Sequence, residues 1–172
     1  STELVRLIEE AGSDYVGANL DAGNATWTLE DPLLNLENLA RYTVCTSLRD
    51  SAMWETENGV GIQWTAMGDG RIDWKTYFAR FAELCPEVPV NIETISGFNY
   101  ELPVNKDEYW QVWPKGKPSG YAQFLALAKN GQPRQPHEYP SGAERLPAEQ
   151  KYQQEELERS LHYCRTLGLG RR

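Results

Sequence analysis

The sequence is poor in the residues that hold small secreted or metal-built domains together. Three cysteines, Cys45, Cys85 and Cys164, are spread over 172 residues. An odd number at such wide spacing makes neither a disulfide framework nor a zinc ribbon. Cys45 falls in a strand-like run and the other two near helix ends. All three read as reduced, buried thiols, which favours a reducing, cytoplasmic setting. Histidine is scarcer still. His137 lies in a proline-rich stretch and His162 in the last helix, and both read as surface or packing residues. No apolar run approaches the ~20 residues a membrane span needs. The opening STELVRLIEEAG is acidic and has no long apolar segment, so it does not read as a signal peptide. Clusters of Lys and Arg are missing too. The one basic doublet, Arg171-Arg172, reads as solvated, and the net charge is -8. That balance excludes an ordinary nucleic-acid binder and leaves a small ligand or a metal as the partner.

What is present is enough for one domain with a real core. Six tryptophans and nine tyrosines argue against disorder. Thr2 to Ala11 reads as a helix, with Leu4, Leu7, Ile8 and Ala11 at helical spacing and Gly12 to close it. Tyr15 to Leu20 reads as a strand ending at Asp21, followed by a loop. Asp31-Pro32 opens a second helix as N-cap and first helical position. Tyr42 to Leu48 reads as a second strand, and Arg49 to Arg71 as a long loop. Asp73 caps a third helix with an aromatic stripe, Trp74, Tyr77, Phe78 and Phe81. Val88 to Ile92 reads as a third strand ending at Glu93. Alternating helices and strands imply crossovers and a parallel sheet.

The rest differs in kind. Seven of the ten prolines fall between Pro103 and Pro147. Short helices are expected near Asp107–Trp113 and Tyr121–Lys129. A last helix is expected at about Ala148 to Leu167, with Leu157, Leu161 and Cys164 facing inward. The division is thus 1–102 for the sheet and its helices, and 103–172 for an extension that wraps it.

In parallel α/β folds the functional side chains gather where strands end. Three strands here end in polar groups: Asp21, then Ser47 with Arg49 and Asp50, then Glu93. Two carboxylates at matching heights can share a divalent cation, and one can move a proton beside a carbonyl. The bland alternative is that Asp21 caps a loop and Glu93 pairs with a basic residue. Trp54 and Trp64 in the long loop suit the apolar faces of a sugar ring, or else pack the loop onto the sheet. Gly68 to Gly70 reads as a structural turn rather than a phosphate cradle, because Asp69 would repel an anion.

Four segments together resemble the sugar phosphate isomerase/epimerase family. Asp21-Ala22-Gly23-Asn24 is similar to its D-x-G-N/H signature, and Ser47-Leu48-Arg49-Asp50 to its H-x-K/R-D stretch. Met67 to Trp74 resembles its glycine-rich turn, and Ile92-Glu93 its final glutamate. They come in the family's order. The resemblance implies the C-terminal part of a (β/α)8 TIM barrel, about three parallel strands with flanking helices, plus the proline-rich extension and terminal helix. It implies a divalent metal (Mn, Mg or Zn) held by Asp21, Glu93 and the position of Ser47, where the family has His. It implies Glu93 as a catalytic carboxylate, and Asn24 and Arg49 among the groups that contact a small-molecule sugar. A first glutamate is expected on a strand ahead of residue 1, in an N-terminal barrel complement. The implied activity is isomerisation or epimerisation of a sugar or keto-sugar. A lyase on keto-sugar derivatives is one alternative, and a non-catalytic binding or structural subunit with a degenerate metal site is another. Serine is a poor substitute for imidazole, which favours the last. A nuclease of related barrels would need more histidines and less negative charge.

Overall fold

The computed structural model describes residues 1–113 and 115–170; the Arg171-Arg172 doublet lies outside them. The chain is mixed α/β with two small sheets, one parallel and one antiparallel, each against its own apolar core.

The first half follows the hydrophobic pattern. Helix α1 spans Thr2–Ala11 and β1 spans Ala18–Leu20. The segment expected as a loop after Asp21 is instead a short helix, α2, Ala22–Trp27. Asp21 folds it: its Oδ1 accepts the backbone N–H groups of Gly23 and Asn24, two donors a helix start would leave orphaned. Helix α3 spans Pro32–Leu39, with Asp31 accepting from Leu34 N at 2.9 Å, the cap expected of Asp-Pro. Strand β2, Thr43–Thr46, pairs with β1 in parallel, Asn19 opposite Cys45 and Leu20 opposite Thr46.

The third strand exists only as a single parallel bridge, Leu48 to Ile92. Pro89 has no N–H to give. The Thr46 hydroxyl fills part of the ladder, accepting from Asn91 N at 2.8 Å and donating to Pro89 O at 2.9 Å. Backbone bonds Leu48 N to Asn91 O and Glu93 N to Leu48 O complete the alignment. Three parallel segments therefore lie side by side in the expected order, without closing a barrel. Between β2 and this segment, α4 spans Trp74–Leu84, capped by Asp73. Its aromatic stripe enters the first core with Ile8, Leu20, Leu36 and Leu48.

The expected loop from Arg49 to Arg71 is a β-hairpin, β3 Asp50–Glu55 and β4 Val60–Thr65. Its turn closes where Thr56 N donates to Gly59 O. An Asn58-Gly59 pair between apolar runs is a hairpin signal. Strand β5, Asn99–Leu102, adds antiparallel to β4. Helix α5, Tyr121–Lys129, packs Phe124 and Ala128 against Met53, Ile62 and Leu102 to form the second core. The Asp107–Val112 turn is 3-10 helical.

The terminal helix α6 spans Arg145–Thr166. Its inward face is Glu156, Ser160 and Cys164, which corrects the expected Leu157, Leu161 and Cys164; Leu161 is 42% exposed. The cause is the backbone beneath it. Glu156 Oε2 accepts Ala66 N at 2.9 Å and Ser160 Oγ accepts Met67 N at 3.0 Å. Among the described residues, no helix is long and apolar enough to cross a membrane.

Candidate functional site at the strand ends

The carboxyl ends of the three parallel segments meet at Arg49. Its Nε and Nη2 donate to Asp21 Oδ2 at 2.9 and 2.8 Å, and Nη2 lies 2.9 Å from Glu93 Oε2. The guanidinium thus bridges the two carboxylates singled out from the sequence. Both bland alternatives hold as geometry: Asp21 is a cap and Glu93 pairs with a base. Asp21 and Arg49 are buried, whereas the Glu93 side chain keeps 35% of its surface. Burial pushes the Asp21 carboxyl above its ordinary range, against the pull of Arg49 and of the two backbone N–H groups. Burial also raises the Tyr77 hydroxyl, with a further push from the Asp21 charge, and that hydroxyl has no hydrogen-bond partner among the described residues.

The stem of Arg49 runs over α2. A Cβ on Gly23 would collide with Arg49 Cγ, so glycine there makes room for the side chain. Above the guanidinium lies Trp64, its ring centre 4.1 Å from Cζ, a cation–π contact. Trp64 belongs to a cluster with Trp27 at 4.5 Å between ring centres and Phe98 at 5.5 Å; Tyr100 stacks on Trp27 at 5.3 Å. Phe98 and Tyr100 are exposed, and the indole N–H groups of Trp27 and Trp64 have no partner among the described residues. Trp54 does not join this cluster. It is 7% exposed and its ring covers Gly61 across the hairpin, so it packs β3 on β4.

No family model, curated protein or solved structure matches this chain. The site must be read from its own chemistry.

Ser47 is at the end of β2, but its hydroxyl accepts from Asn19 Nδ2 at 3.2 Å. Asp21 has both oxygens engaged, and Glu93 Oε2 faces a guanidinium. No group of three or more His, Cys, Asp or Glu able to hold a metal occurs among the described residues. As arranged, these donors do not fit a divalent ion, which needs several oxygens or nitrogens turned toward one point. Asn24 is exposed. With Asn19, Asp21 and Glu30 it lines a cavity of about 580 Å³ that extends toward α1 and Lys115. Arg49, Trp64 and Glu93 are not part of its wall.

Asp50 is the residue whose role the sequence hid. It is fully buried and accepts Ser51 N and Ile72 N on Oδ1, and Gly68 N, Gly70 N and Trp74 Nε1 on Oδ2. It ties the Met67–Trp74 turn to the hairpin. The Gly68–Gly70 turn is therefore structural. Phe98 and Tyr100 were missed as well; their i, i+2 spacing on a strand edge was the available signal.

Proposed function

We propose that this chain is the C-terminal part of a TIM barrel of the sugar phosphate isomerase/epimerase kind, in a cytoplasmic setting, and that its strand-end site binds a sugar or keto-sugar. The observation that carries the reading is the convergence of Asp21, Arg49 and Glu93 at the ends of three adjacent parallel segments. The exposed rings of Phe98 and Tyr100, beside Trp27 and Trp64, support a ligand with apolar ring faces. Glu93 acts as the proton carrier. Its carboxylate takes a proton from the carbon beside the sugar carbonyl, the C–H electrons move into the carbonyl, and an enediolate forms. Delivery of that proton to the neighbouring carbon, with the hydroxyl proton passing from one enediol oxygen to the other, gives the isomer. Protonation of the first carbon by water on the opposite face, with Glu93 giving its proton to solvent, gives the epimer. A positioned base supplies ~10²–10⁴-fold in rate.

The test is uptake of solvent deuterium beside the carbonyl of a panel of aldoses and ketoses, followed by NMR. The native protein should exchange at least one of them, and Glu93→Gln should lose most of that exchange with its circular dichroism unchanged. Exchange that persists in Glu93→Gln removes the proton-transfer role. A second reading, a binding subunit without catalysis, draws support from Ser47, whose hydroxyl is tied to Asn19. It predicts sugar binding with no deuterium uptake in either protein.

A further inference from the structure

We infer that Arg49 is the resident cation of the strand-end site, in the position where the resembled family holds a divalent metal. The inference concerns charge and holds whatever ligand the site takes. It begins with Asp21, a carboxylate that is 7% exposed and needs a compensating positive charge. Arg49 supplies it through two hydrogen bonds, at 2.8 and 2.9 Å, to one oxygen. The other oxygen is taken by Gly23 N at 2.9 Å and Asn24 N at 3.3 Å. A metal on Asp21 would have to displace the guanidinium or break the start of α2.

The surroundings are shaped to the arginine. Gly23 clears its stem, Trp64 covers its charged plane, and Glu93 Oε2 lies 2.9 Å from Nη2 as a second ion pair. A guanidinium carries five N–H donors in a rigid fork. Two of them, on Nε and Nη2, donate to Asp21, and the Glu93 carboxylate sits beside Nη2 as an ion pair. The fork is held in place by these partners and is almost wholly buried, so its charge is fixed within the site. A fixed cation of this kind can stabilise negative charge on a ligand oxygen bound beside Glu93 through its field. The site then binds without a divalent ion.

Two measurements test this on the protein as it stands. Mn2+ is titrated into the native protein and free Mn2+ is followed by EPR. The expected result is no site that Asp21→Asn removes; a stoichiometric site abolished by Asp21→Asn overturns the inference. Arg49→Ala leaves a guanidinium-shaped gap beside two carboxylates, and its melting temperature should fall by about 10 °C, on the scale of a broken buried pair. Adding about 20 mM guanidinium should then raise that melting point by several degrees through binding to the folded state, and Mn2+ should raise it less. No rise with guanidinium, or an equal rise with Mn2+, overturns the inference. Arg49→Lys is the second variant, needed if the alanine form does not fold. It keeps the charge and loses the fork, so it should fold and melt below the native protein. A lysine form as damaged as the alanine form overturns the role of charge.

Discussion

Single residues carry opposite meanings at this strand-end site. Asp21, Arg49 and Glu93 were legible from the sequence because a polar residue directly after an apolar run marks a strand end. Their pairing was not legible. Which of two carboxylates meets which base depends on the register of β1 against β2, and on Thr46 reaching into the third segment. Asp50 shows the same limit more sharply. It sits one residue after Arg49, yet it turns into the protein and serves five donors. Burial pushes its carboxyl from 3.8 up to about 6, against the pull of Trp74 and the backbone N–H groups. A carboxyl whose pKa is raised on folding adds stability that is fully present below its ordinary value and is lost as pH rises through about 6. The shift corresponds to ~3 kcal/mol for a fully buried group, at ~1.4 kcal/mol for each tenfold change. Asp50→Asn should therefore lose this pH dependence. The stability difference between native protein and variant, from urea melts at pH 4 to 7, should favour the native protein most at the acid end. A difference that grows toward pH 7 would mean that the five hydrogen bonds outweigh burial.

Elements divide by how local their signals are. Helices α1, α3 and α4 were readable because each has an apolar stripe and a closing or capping residue, and Asp31 and Asp73 do cap as expected. The β3–β4 hairpin was missed although Asn58-Gly59 announces it. Glu55, Thr56 and Glu57 ahead of the turn make the whole segment look like a polar loop. Helix α6 was placed in the chain to within a few residues, yet its inner face was taken to be leucine. A helix that docks on bare backbone N–H groups needs acceptors, and hydrophobic periodicity is blind to that. Glu156 accepts from Ala66 N and from Ser96 Oγ, and pairs with Arg159. Glu156→Ala would leave the buried Ala66 amide unsatisfied, at about 1–3 kcal/mol, and would leave the Ser96 hydroxyl only the longer bond to Gln153 Oε1 at 3.4 Å. We expect a loss of ~3 kcal/mol in chemical denaturation for Glu156→Ala, against under ~1 kcal/mol for the exposed Leu161→Ala. If Leu161→Ala is the more damaging, the helix is seated by its leucines after all.

On the scale of the whole molecule, what stands out is a parallel sheet covered on one side. Leu20 and Leu48 are fully buried in the first core with α1, α3 and α4. The opposite side carries Asn19, Cys45 and Ser47, joined through Asn19. The outer edge of β1 has no strand beside it among the described residues. At the strand beginnings Tyr15, Val16 and Val44 are exposed, at 89%, 36% and 64%. Val44 lies against Gly17, the residue that follows Tyr15 and Val16 into β1. Parallel sheets are normally covered on both faces, and an open strand edge with apolar neighbours invites another chain. The net charge of -8 opposes association, but charge repulsion between exposed groups is screened at ordinary salt. The protein should therefore self-associate through that edge, and more strongly as salt rises. Sedimentation velocity at increasing concentration and salt measures this. Val44→Lys puts a charge on the bare end while leaving both cores untouched, and should shift the distribution toward monomer with little change in melting temperature. A native protein that stays monomeric at high salt and unfolds in one sharp transition would show that the sheet needs no cover.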